Sequence, residues 1–262
     1  MTTLTAPARF KRPSWVTVVT VGIFAGLFVL GVQHAQISLE RLFSGILNMF
    51  GFISSAFPPN PERIAPISAA MYETFQIALV GTVIGVLLSL PVALLASHNT
   101  APHPSIRWAA RGMVSAMRTI PDLIWALIFV ISVGLGPLAG ILTIIVDTIG
   151  FCARFFSERI EEVQKGPSQA LQSTGGGQLG VISGSIIPIS FPSFVGTSLF
   201  SFEKSIRAAV VLGLVGAGGI GVELSTAFTL RNFDEALMII ILILIVVIAF
   251  EQLSSAIRKK VI

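Results

Sequence analysis

Charge is scarce in this sequence. Asp, Glu, Lys and Arg together make up 11% of 262 residues, against roughly a quarter in a typical globular domain. With 53% hydrophobic residues, the chain cannot cover its own surface with polar groups. That excludes an ordinary soluble enzyme and makes lipid part of the solvent. Cysteine is almost absent. Cys152 stands alone, which excludes an intrachain disulfide and a cysteine-based metal site. His34, His98 and His103 are the only histidines and have no ligand spacing. No G-x-x-x-x-G-K-[ST] stretch occurs, so the chain has no loop of its own for hydrolysing ATP. The net charge of +4 reads as topogenic loop charge and not as a nucleic-acid footprint. No cofactor or metal bound by this chain is expected.

Glycine is plentiful, and one cluster invites a different reading. Residues 213–221 are GLVGAGGIG, in which Gly216, Gly218 and Gly221 spell G-x-G-x-x-G, with Gly219 between them. A β-branched run, AAVVL, precedes them and Asp234 follows, as in a dinucleotide-binding loop. That fingerprint needs a strand, a helix and a repeating βαβ unit. No second such unit exists in the chain, and the helix after the glycines would run into a membrane span. The dinucleotide reading is therefore set aside.

A hydrocarbon core ~30 Å thick needs ~20 apolar residues in a helix. Six stretches qualify. The first is Ser14–Gln33 behind Arg9, Lys11 and Arg12, read as a retained signal anchor because it is too long for a cleaved signal. The others are Thr74–Ser97, a mixed stretch from Arg107 to Val133, Leu138–Ala153, Val181–Phe202 and Ala236–Phe250. The third is interrupted at RTIPDL, where Thr119 and Pro121 restart a helix. After the first span, Leu39, Leu42, Phe43, Ile46, Leu47 and Phe50 recur at helical spacing. This predicts an amphipathic helix on the membrane surface.

Six spans place both termini on one side. Arg9, Lys11, Arg12, Arg107, Arg111, Arg154, Arg159, Lys165, Arg258, Lys259 and Lys260 fall on that side. Arg41, Arg63, Lys204, Arg207 and Arg231 fall on the other. This asymmetry predicts cytoplasmic termini, a cytoplasmic loop at 154–180, and the glycine cluster at the outer face.

The cytoplasmic loop carries the most telling pattern. Gln169, Ala170 and Leu171 are followed by Gly175 and then by Pro188. This resembles the E-A-A–x3–G loop of ABC importer permeases, although Gln169 replaces the usual Glu and Leu171 the second Ala. The stretches MRTIPDLIWALIFVISVGLGPLAG, FFSERIEE and FEKSIRAAVVLGLVGAGGIG are similar to the phosphonate-transport permeases, from about Tyr72 to the C-terminus. The resemblance implies an all-α membrane protein with the type I ABC importer permease fold. Residues 1–70 would form the tail, first span and interfacial helix, and 71–262 the permease core, with its coupling loop at 158–180. It also implies a bacterial inner-membrane permease homodimer, two ATP-binding subunits carrying ATP and Mg, and an extracytoplasmic binding protein delivering phosphonate or a related oxyanion.

A phosphorus oxyanion needs a polar path with cationic or N–H donors, and Arg offers bidentate geometry. Ionisable residues within spans default to functional candidates. Arg118 and Asp122 sit four apart, and would pair on a continuous helix either as path-lining groups or as a buried structural pair. Asp147, in the fourth span, lines the path or bonds a neighbouring helix. Glu203 and Arg207 are a gate at the outer leaflet or a plain i,i+4 pair. Lys204 and Arg231 read as outer loop charges. The glycines Gly216, Gly218, Gly219 and Gly221 read as a bend before the last span. A stand-alone secondary transporter or channel, with Asp147 as proton relay, is the rival reading.

Overall fold

The computed structural model describes residues 13–35 and 38–261, and among these every regular element is a helix. The chain divides into two compact units, residues 1–55 and 56–262. In the first, α1 (Trp15–His34) is a span-length apolar helix. Helix α2 (Leu39–Ala56) follows, with Ser38 Oγ accepting from Arg41 N at 3.2 Å as an N-cap does. Leu42, Phe43, Ile46, Leu47 and Phe50 lie exposed along α2, as expected of a surface-seeking helix. Arg9, Lys11 and Arg12 lie outside the described residues.

The second unit holds nine α-helices and one π turn. Helices α3 (Ile64–Ala96) and α6 (Pro137–Glu162) form its central pair. A small residue recurs every fourth position on α3, at Gly81, Gly85, Ser89 and Ala93, and again at its C-cap, Ser97. The stripe lets the two backbones approach closely, as small-xxx-small patterns do in membranes. A Cβ on Gly81 would sit 2.7 Å from Ile144, and one on Gly85 2.5 Å from Thr148. Further along, Ser89 Oγ donates to Gly85 O at 2.6 Å and Ser97 Oγ to Ala93 O at 2.7 Å, with Thr148 O and Ser157 O of the facing helix at 3.4 and 3.2 Å.

Helices α4 (Pro104–Thr119) and α5 (Asp122–Val133) are one broken span, bent by 91° at Ile120–Pro121. Pro121 has no N–H and pushes Ile120 out of helical conformation. Helix α7 (Lys165–Ser173) is short, and α8 (Gln178–Val181), a π turn (Ile182–Ile186) and α9 (Ile187–Gly213) run on as one rod. Pro188 explains the π turn: it cannot donate to the preceding turn, and the ladder widens there. Helix α10 (Ile220–Thr229) precedes α11 (Phe233–Val261). Among the described residues, five helices are long and apolar enough to cross a membrane, or six with the broken span. The chain is a multi-pass membrane protein.

Contacts at the two ends confirm the alternation of spans. At one end Arg63 bridges Glu223 at 3.1 Å and Glu235 at closer range, and Gly136 N donates to Gly216 O at 2.9 Å. At the other end Arg111 joins Glu161 at 2.5 Å, and Asn99 Nδ2 donates to Ile160 O at 2.8 Å. The 57–63, 134–136 and 214–219 turns therefore share the first end; the 97–103 turn and the 163–177 loop share the second.

Candidate functional site

Six ionisable side chains gather in the second unit around the buried Glu203. Lys204 Nζ contacts Asp147 Oδ1 at 2.6 Å and lies 5.4 Å from the Phe151 ring centroid. Asp122, the first residue of α5, lies beside both Asp147 and Lys204. Glu203 is almost fully buried. Its Oε1 faces Arg207 at 2.9 Å and its Oε2 faces Arg258 at 3.4 Å. Asp122 and Asp147 thus share one lysine, while two arginines share Glu203. The cluster is neutral overall, with its positive excess on the Glu203 side.

Helix rise places this cluster in depth. Asp147 is ten residues from the start of α6, Lys204 nine from the end of α9, and Asp122 eleven from the end of α5. At about 1.5 Å per residue, all three lie roughly 14–17 Å below the first end, near the middle of a hydrocarbon core ~30 Å thick. A span closing at Phe202 would leave Glu203, Lys204 and Arg207 at its outer end. Helix α9 instead continues to Gly213, which draws them inward. Lys204 is therefore no loop charge; it neutralises Asp147. Arg258 is no loop charge either, since α11 carries it to Glu203.

The expected Arg118–Asp122 pair does not form, because the 91° break separates the two residues. Arg118 is exposed at the end of α4, its stem lying over Gly150, where a Cβ would sit 3.0 Å from Arg118 Cγ. The break has a consequence of its own: α5 begins within the membrane. Its first turn, at Pro121–Leu123, lines a cavity of about 400 Å³ together with Lys204 and Arg207. Arg207 is 45% exposed there. A helix N-terminus carries partial positive charge and free N–H groups. A guanidinium, an ammonium, that N-terminus and the Asp122 carboxylate therefore border one space, in which two cations outnumber one carboxylate, a balance suited to a small anion.

The glycine cluster forms the bend expected of it. Gly216, Gly218 and Gly219 have φ of +87°, +85° and +76°, the region only glycine enters freely. Helix α3 caps the start of α10: Gly219 N donates to Glu73 Oε1 at 3.1 Å and Ile220 N to Thr74 Oγ1 at 2.7 Å. Gly221 packs against α9, where a Cβ would fall 2.1 Å from Val210 O. No βαβ unit surrounds it among the described residues.

At the second end, Gln169, Ala170 and Leu171 lie on α7. Gly175, at φ +85°, comes just after the helix; its N–H donates to Gln172 O at 3.0 Å and that of Gly176 to Leu171 O at 3.1 Å. Those two bonds make a Schellman stop. Gln169 and Ala170 are exposed, whereas Leu171 packs into the cluster around Phe156 and Phe194. Leu179 on α8 is 82% exposed. No group of three or more metal-ligating side chains occurs among the described residues.

Sequence reasoning missed three features. The Lys204–Asp147 pair and the Arg258–Glu203 contact join distant positions and leave no local signal. The α3 stripe did leave one, in the four-residue spacing of Gly81 and Gly85.

Comparison with known proteins agrees with this architecture. The family described as binding-protein-dependent transport system inner membrane component matches residues 85–261. The phosphate-import permease protein PhnE of Mycolicibacterium smegmatis is 36% identical over 242 residues, 92% of this chain. The chain spans about half of that relative, 46% of its length. The phosphite transport system permease protein PtxC of Stutzerimonas stutzeri is 32% identical over 94% of this chain and 90% of its own. Among solved structures, the inward-facing MetNI methionine ABC transporter superposes with a TM-score of 0.67 at 20% identity. That match covers 77% of this chain and 99% of the matched one. The fold is that of type I ABC importer permeases.

Proposed function

This chain belongs to the family of binding-protein-dependent transport system inner membrane components, and on that premise we propose that it is the membrane-spanning subunit of an ATP-driven importer for phosphonate or a related phosphorus oxyanion, phosphite and phosphate included. The observation that carries the substrate class is the cavity where Arg207, Lys204 and the α5 N-terminus converge beside Asp122. Fixed donors replace the hydration that a bare oxyanion would lose. The relatives named for phosphate and phosphite transport support the same class.

In this reading two copies pair, each engaging one ATP-binding subunit, and an extracytoplasmic binding protein delivers the anion. ATP and Mg sit on the partner subunits. Both termini are cytoplasmic, as the positive-charge asymmetry favours, which makes the first end outer and the second inner. Gln169, Ala170 and the exposed Leu179 form the surface that meets the ATPase, and the rod that begins at Gln178 and contains Pro188 carries its movement toward Glu203. Closure of the ATPase pair draws the α7 segments together and switches access from one side to the other. Asp122, Asp147, Glu203 and Arg207 form the path or its gate, with Arg118 at its edge.

Reconstitution with the cognate ATPase and binding protein tests the reading. ATP-dependent uptake of phosphonate, phosphite or phosphate into proteoliposomes is expected. Uptake of none of them would defeat the substrate class, and uptake without any ATPase would favour a secondary transporter.

A further inference from the structure

A second cavity lies inward of the charged cluster, between α6 and α9, with a volume of about 630 Å³. Its walls include Arg159, Arg258, Ser193 and Thr197, with Phe151 and Phe200 among its apolar side chains. Helix rise sets its depth: Phe151 is fourteen and Arg159 twenty-two residues along α6, about 21–33 Å below the outer end. The Arg207 cavity occupies the outer half of the membrane, and this one the inner half. Glu203 stands between them, one carboxylate oxygen on the arginine of each.

The donors around the second cavity are poorly satisfied. Arg159 lines the cavity, and its contact to Glu162 is long, at 3.6 Å. Along α9, Ser198 Oγ bonds back to Phe194 O at 2.7 Å and Ser205 Oγ to Ser201 O at 2.8 Å, while the hydroxyls of Ser190 and Ser201 are buried without a partner. Ser193 and Thr197, four residues apart on one face, make no such bond. Two guanidinium groups and two hydroxyls therefore face a space large enough for an anion and a shell of water, each water filling ~30 Å³.

We propose that this cavity is an inner resting site for the transported tetrahedral oxyanion, and that Glu203 is the counter-ion shared by the outer and inner sites. This rests on the oxyanion-importer reading. With one carboxylate for two arginines, the pair keeps one positive charge for the passenger at every stage. An anion in the outer cavity competes with Glu203 for Arg207. Once it moves inward, Glu203 returns to Arg207, and Arg258 with Arg159 takes the anion. The passenger exchanges partners without leaving either arginine unpaired in a low-dielectric setting.

The test uses the whole transporter, with ATPase and binding protein, in proteoliposomes. The native Cys152 is buried, so Thr197→Cys, and separately Ser193→Cys, gives a reporter in the cavity. A membrane-impermeant thiol reagent is applied from the ATPase side, modification is read on the permease, and inorganic phosphate is the probe. Phosphate is expected to slow modification. Arg258→Gln in the same background should raise the half-protecting phosphate concentration about tenfold, and Arg258→Lys should raise it less. Modification indifferent to phosphate at both positions, in a transporter that still takes up an oxyanion, overturns the inner site and leaves the importer reading standing. The absence of modification at both positions also overturns it, since the cavity is then closed to ions. If the unsubstituted transporter moves no phosphorus oxyanion, the importer reading falls and takes this inference with it.

Discussion

The segment after α6 ends in a turn whose hydrogen bonds span three and five positions, from Gly175 to Gln172 and from Gly176 to Leu171. The charged centre is joined across 57 positions, from Lys204 to Asp147, and 55, from Arg258 to Glu203. The first region presents exposed side chains around one anchoring residue, Leu171. The second neutralises its charges within the fold, around the buried Glu203. A surface built this way suits a partner that comes and goes, because little of the core depends on it. A centre built this way holds ions at a depth where unpaired charge is expensive.

Substitutions can break the contrast. Removing Gln169–Gly175 is expected to abolish co-purification with the ATPase while the permease still inserts. Retained co-purification would show that the ATPase docks elsewhere. Lys204→Met strands Asp147 and Asp122, and should cost about 3 kcal/mol, the low end for a broken buried pair because Lys204 is a third exposed. Thermal unfolding in detergent should show the double variant Lys204→Met/Asp147→Leu to be more stable than Lys204→Met alone. Gly85→Ala puts a methyl against Thr148 and should cost about 2 kcal/mol by overpacking, read in the same assay. Gly175→Ala acts only on the local turn, where φ is +85°. A cost of about 1 kcal/mol should speed hydrogen exchange across 165–176 about fivefold, with the unfolding temperature of the core unchanged.

The same contrast explains what could be read from the sequence. The glycine stop after α7, the Glu203–Arg207 contact and the helix restart near Pro121 are set by neighbours within four or five positions; Thr119, read as the restart's cap, instead ends α4, and Pro121 takes the cap position. The Arg118–Asp122 pairing failed for a related reason. Four-residue spacing brings side chains together only on an unbroken helix, and Pro121 breaks this one. The depth of Glu203 and Lys204 was misjudged because a charged triplet looks like the end of a span. Nothing nearby reports that Asp147 and Arg258 wait on other helices to neutralise it. The glycine bend was legible as a bend, but its cap at Glu73 and Thr74 lies 146 positions away.

Arg207 is where the oxyanion reading is most exposed to failure. ATP-dependent uptake of phosphonate, phosphite and phosphate should be compared for the unsubstituted transporter and for Arg207→Ala, in complexes shown to be fully assembled. The account predicts that uptake falls at least tenfold, the loss of one charge-assisted contact, with Arg207→Lys recovering part of it. Uptake by assembled Arg207→Ala equal to that of the unsubstituted transporter would contradict it.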